Sequence, residues 1–117
     1  MIGRYITIKD KEYKLKMPFN NMVELTSKHP DVGENLEKGI LDMGAIRLVF
    51  YYQLKHKDND LKKFKVEDAG DLITDYIEDG NSLGDLAELI TNVQLESMGI
   101  SQKDLEAQKL GETKGEK

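Results

Sequence analysis

The sequence predicts an α+β fold, mostly α, with an N-terminal β-hairpin followed by a bundle of about four helices. Two observations carry this. Between residues 4 and 17 polar and apolar side chains alternate, with Ile6 and Ile8 set against Tyr5, Thr7 and Lys9, and Tyr13, Leu15 and Met17 against Lys14 and Lys16. From Phe19 onward the apolar residues recur every three or four positions instead. A period of two belongs to a strand with one buried face, and a period near 3.6 to an amphipathic helix.

The hairpin strands are expected at 4–9 and 12–17, joined by a turn at Asp10-Lys11 that lacks the Asn-Gly signature of a tight hairpin. Pro18 cannot extend a ladder and closes the second strand. Phe19, Met22, Val23 and Leu25 mark a short helix with Asn20 or Asn21 as its cap, ending before Pro30, because the residue preceding a proline resists helical geometry. Residues 29–33 read as a loop. A central helix is expected over 34–55, its apolar face running through Leu36, Ile40, Met43, Arg47, Phe50, Tyr51 and Leu54, with Gly39 and Gly44 inside it. A stripe widened further by Ile46, Leu48 and Val49 implies burial on more than one side.

After a charged loop at 56–65, residues 66–78 repeat Ala69, Leu72, Ile73, Tyr76 and Ile77 at helical spacing, and Gly80 terminates them. Ser82 with Asp85 three residues on has the form of a capping box. It opens a last helix lined by Leu83, Leu86, Leu89, Ile90, Val93 and Met98. The helical body is expected to span 19–100, making one domain of 1–100, with 101–117 a flexible polar tail.

The 117 residues carry 22 acidic and 17 basic side chains, a net charge of −5 that disfavours binding to nucleic acid through phosphate neutralisation. The absence of cysteine removes disulfides, thiolate nucleophiles and zinc–thiolate sites. The N-terminus lacks the apolar run of a signal peptide, and no apolar stretch approaches a bilayer span, so a soluble cytoplasmic protein is expected. Asp58-Asn59-Asp60 invites a calcium-loop reading, but Lys63 and Ala69 stand where that loop needs glycine and glutamate. His29 and His56 have no partner at metal-ligand spacing, and no serine has the setting of a nucleophile. No metal, cofactor or catalytic residue is therefore assigned, and a non-enzymatic role is expected.

Among the aromatics, Phe50, Tyr51 and Tyr52 cannot all face one core, since adjacent helical residues point about 100° apart. Tyr52 is expected to look outward. A two-stranded hairpin is marginal alone, so its apolar face must dock on its own helices or on a partner.

The order of elements resembles a known family. Tyr5-Ile6-Thr7-Ile8 followed by Lys11-Glu12-Tyr13-Lys14-Leu15 and Phe19-Asn20 is similar to the strand–turn–strand opening of tailed-phage tail assembly chaperones. The run from Ile46 to His56, the acidic opening Val66-Glu67-Asp68-Ala69-Gly70 and the leucine-rich stretch from Ser82 to Met98 resemble it too. The resemblance implies a small protein of the host-cell cytoplasm that binds the tape-measure protein, the tail-tube protein or both during tail morphogenesis of a siphovirus or prophage. It also implies that a longer, frameshifted form can accompany the short one. The residues expected to carry partner binding are Tyr5, Ile6 and Ile8 on the hairpin and Tyr51 and Tyr52 on the central helix, with self-association a further possibility. The alternative is a small acidic protein-binding regulator, an anti-repressor or nucleic-acid mimic, which requires carboxylates gathered on one exposed face.

Overall fold

The computed structural model describes residues 3–38 and 42–98. Strands β1 (Arg4–Ile8) and β2 (Lys11–Leu15) form an antiparallel ribbon in the register Arg4↔Leu15 to Ile8↔Lys11. Among the described residues five α-helices follow: α1 (Phe19–Lys28), α2 (Pro30–Glu37), α3 (Met43–Leu54), α4 (Val66–Glu78) and α5 (Leu83–Ser97), with a single 3-10 turn at Lys57–Asn59. The expected tail at 101–117 lies outside the described residues. The ribbon's inner face docks on its own helices, β2 against α3 and β1 against α4. Ile6, Ile8, Tyr13, Leu15 and Met17 are all buried in one core with Val49, Phe50, Leu54, Leu86, Ile90 and Val93.

The hairpin turn falls one residue earlier than expected, at Lys9-Asp10, where both residues take positive φ (50° and 67°). A two-residue loop needs that conformation to match the strand twist, and it disfavours side chains other than those of Gly, Asn and Asp. The compensation is tertiary. The Lys9 N–H donates to Asp79 Oδ2 at 2.7 Å, and the Lys9 ammonium reaches both Glu78 and Asp79 at the end of α4.

The single helix expected over 34–55 is two. Pro30 opens α2 rather than sitting in a loop, at the first helical position, where its missing N–H costs nothing. Asp42 then starts α3 afresh, accepting a hydrogen bond from the Ala45 N–H at 2.8 Å. The restart rotates the apolar face. Ala45, Ile46, Val49, Phe50, Gln53 and Leu54 are buried, while Met43 and Arg47, expected on the core stripe, are exposed. Gly44 lies in the first turn of α3; Gly39, Ile40 and Leu41 fall outside the described residues. Gln53 is accommodated in the core by donating from Nε2 to the Ile90 carbonyl at 2.8 Å.

The C-terminal half follows the sequence closely. α4 occupies the expected span, with the Asp68 carboxylate accepting from the Lys65 N–H, and Gly80 ends it at φ 100°. Ser82 and Asp85 close a reciprocal capping box on α5, with bonds of 3.0 and 3.4 Å. Met98, expected in the core, is exposed. Among the described residues no helix is long and apolar enough to cross a membrane.

Candidate functional site

The five residues expected to bind a partner do not form one surface. Ile6 and Ile8 point into the protein's own core, so their side chains serve the fold. Tyr52 is only 3 % exposed, contrary to the expectation that it faces outward. It is packed edge-on against Tyr51, with ring centroids 5.1 Å apart, and its hydroxyl lies 3.4 Å from Glu24 Oε1 on α1. Burial, reinforced by the Glu24 charge, pushes the Tyr52 phenol above its ordinary pKa. Tyr51 is half-buried and stacked on Phe64 at 5.6 Å, with the Lys55 ammonium 5.4 Å from its ring centre. Both tyrosines thus belong to an internal aromatic cluster joining α1, α3 and the 56–65 segment. The expectation that Tyr52 faces outward fails because α3 starts afresh at Asp42 with its apolar face turned.

Tyr5 is different. It is 61 % exposed on the outer face of the ribbon, with the Lys14 ammonium 6.0 Å from its ring centre. The strand that bears it is an edge. In an antiparallel pair, opposed residues either exchange both backbone hydrogen bonds or neither. Opposite Tyr5 lies Lys14, whose N–H and C=O are both taken by the Asn59 side-chain amide at 2.8 Å. Tyr5 and, two residues on, Thr7 therefore direct their backbone N–H and C=O away from β2. Among the described residues nothing hydrogen-bonds to these groups.

The two edges of the ribbon contrast sharply. The β2 edge is sealed by the end of α3 and the turn after it. The Lys16 N–H donates to the Gln53 carbonyl at 3.1 Å, and His56 Nε2 donates to the Lys14 carbonyl at 2.9 Å. Asn59 also reaches back to the Leu54 carbonyl at 3.0 Å, while Asp58 pairs with Lys16 at 2.6 Å and Lys14 at 3.5 Å. The Lys16 hydrogen bond holds the Asp58 carboxyl below its usual range. Asp58-Asn59 is thus a strand clamp. Its helix-side counterpart is Asn21, expected as a cap of its own helix. Its amide instead donates to the Tyr52 and Lys55 carbonyls at 3.0 and 2.7 Å, finishing α3.

Among the described residues the β1 edge has no such cover, and the strand contains neither proline nor bulge. It is held at its two ends. Arg4 grips Glu96 of α5 through Nε at 2.9 Å and through Nη2, and the Lys9 end is fixed to Asp79. Between them the chain offers two outward donors, two outward acceptors and an aromatic ring. That arrangement can accept an added strand but holds no nucleophile or proton shuttle. Among the described residues no group of three or more His, Asp or Glu is placed to hold a metal ion.

Set against models of known protein families, curated proteins and solved structures, the chain matches none.

Proposed function

We propose that the chain is a non-enzymatic assembly chaperone that lends the β1 edge to an exposed strand of its client. The open edge beside Tyr5 carries this reading. Backbone groups left unpaired on a rigidly anchored strand are what β-augmentation uses for affinity, while side-chain contacts give selectivity. The resemblance to tailed-phage tail assembly chaperones supplies the client class, the tail-tube or tape-measure protein, and the setting, the host-cell cytoplasm. A tail-tube subunit awaiting assembly presents the same hazard the edge would relieve, an unpaired strand prone to wrong pairing.

The test is a binding assay against tail-tube and tape-measure proteins from the genome that encodes this chain. Thr7→Pro removes an outward N–H and leaves the β1–β2 ladder intact, because proline is tolerated on the free side of an edge strand. Ile6→Pro breaks the ladder and serves as the unfolding control. Binding lost in Thr7→Pro, with unchanged circular dichroism, is the expected outcome. Undiminished binding in that variant, or no binding of either client by the native chain, defeats the proposal.

The acidic-regulator alternative draws support from α4, whose exposed flank carries Glu67 and Asp71 with no ion pair among the described residues. Its signature is a DNA-binding partner that duplex DNA displaces.

A further inference from the structure

A second surface lies away from the ribbon edge. Met43 and Arg47 on α3, Gly70, Ile73 and Ile77 on α4, and Leu83 at the start of α5 enclose an open groove of about 440 Å³. Its rims are apolar and wet, since Met43 is 75 % and Ile77 45 % exposed. The groove exists because position 70 has no side chain. A Cβ there would come within 3.2 Å of Arg47 Cδ, so the arginine stem forms one wall and α4 backbone the floor.

The charge around this groove is one-sided. Residues 66–98 contain nine carboxylates, five on α4, three on α5 and Asp79, and no lysine or arginine. Glu78 and Asp79 pair with Lys9, Glu96 pairs with Arg4, and Asp68 and Asp85 cap their own helices. Glu67, Asp71, Asp75 and Glu88 remain unpaired among the described residues, and of those on α4 Glu67 and Asp71 are exposed. With Thr74 these two recur at three- and four-residue intervals, which sets them on the flank of α4 just beyond Gly70. On the facing wall Arg47 is the single cation, its guanidinium exposed beyond a stem that packs on the groove.

We infer that this groove docks an amphipathic helix of a partner protein, its apolar stripe seated between α3 and α4 and its Lys/Arg flank lying against Glu67 and Asp71. The spacing supports a helix. The lining residues span about two turns of α4, from Gly70 to Ile77, so anchors at i and i+3 or i+4 fill the groove, while basic residues one position off the stripe reach the acidic rim. A small amphiphile fits less well, because ligand pockets bury most of the ligand, and rims this exposed leave much of it in water. The inference goes beyond the chaperone reading and does not depend on it: groove and edge are built from different segments, and either can fail alone.

The test uses the full chain and a fluorescein-labelled model helix of about four turns, with leucines at i, i+4 and i+7 and lysines on the flanks. A second peptide has glutamates in place of the lysines. The lysine-flanked probe should bind with an affinity that falls as salt rises, and the glutamate-flanked one should bind at least about tenfold more weakly. In ¹⁵N-labelled protein the amide shifts should centre on Met43, Arg47, Gly70, Ile73 and Ile77. Gly70→Leu, a favourable change for helix propensity, should fill the groove and weaken binding by about tenfold or more. Arg47→Glu should strengthen binding of the lysine-flanked probe several-fold, a gain that a folding defect cannot produce. Shifts centred elsewhere, equal affinity for both peptides, or Gly70→Leu without effect overturns the inference. So does palmitate shifting these amides where the helix does not, which assigns the groove to a small amphiphile. Concentration-dependent shifts of the same amides in the unliganded protein assign it to a second copy of this chain.

Discussion

Asn59 and His56 join the second strand to the end of α3 through hydrogen bonds rather than charge. The Asn59 amide donates to the Lys14 and Leu54 carbonyls and accepts from the Lys14 N–H, so one side chain ties a strand to the end of a helix. Asn59→Ala leaves the part-buried Lys14 N–H without a partner and takes one of two donors from each of the Lys14 and Leu54 carbonyls, and should cost about 1–3 kcal/mol, read from the urea midpoint at unchanged m-value. His56 gives a pH signature. Burial holds its imidazole below the ordinary pKa of 6.5, with the Lys16 charge acting in the same sense and the hydrogen bond to the Lys14 carbonyl opposing both. The unfolded chain therefore binds a proton more readily than the folded one. Stability should be fully present above the unfolded value and fall as the pH drops below about 6.5, levelling once the folded imidazole is itself protonated. In His56→Gln, which keeps a donor toward Lys14, the loss over that window should disappear from pH-dependent thermal melts. Neither role was visible in the sequence. An isolated histidine and an Asp-Asn-Asp run look like surface loop until the chain brings β2, some forty residues away, alongside them.

At the scale of elements, legibility tracked how local the determining interactions are. α4 and α5 were read almost to the residue, because their start and stop signals, Asp68, Gly80 and the Ser82–Asp85 box, act within a turn of the positions they mark. The ribbon's inward face was equally plain from its alternation. The central helix was not. A proline at the first position of α2 and an aspartate cap before α3 were both present in the sequence, but a continuous apolar stripe through Leu36, Ile40 and Met43 masked them. Reading through the break turned the face of α3, placing Tyr52 outside and Met43 inside, and so misplaced one of the five expected contact residues and hid the groove. The Asp42 cap is the element-level test. Asp42→Ala removes the acceptor for the Ala45 N–H and should cost about 1 kcal/mol in chemical denaturation, whereas Asp42→Ser should restore most of it.

For the whole molecule, the distribution of contacts matters more than their number. The ribbon is completed by α4 and α5, through Arg4 to Glu96, the Met17 N–H to Ser97 Oγ at 3.2 Å, and Lys9 to Asp79. Such closures pair residues far apart in sequence, and their loop entropy must be met before they contribute. Variants such as Asp79→Ala should therefore accelerate unfolding and leave the refolding rate nearly unchanged, a φ-value near zero measurable from the two arms of a chevron plot. The Lys9-Asp10 turn carries this to synthesis on the ribosome. Lys9 sits in a left-handed backbone conformation that its side chain disfavours, and what holds it there is a carboxylate translated seventy positions later. The turn is thus translated well before the residue that fixes it. A growing chain has no finished β1 edge to offer, and the capacity to receive a partner's strand arises only once α4 has been made.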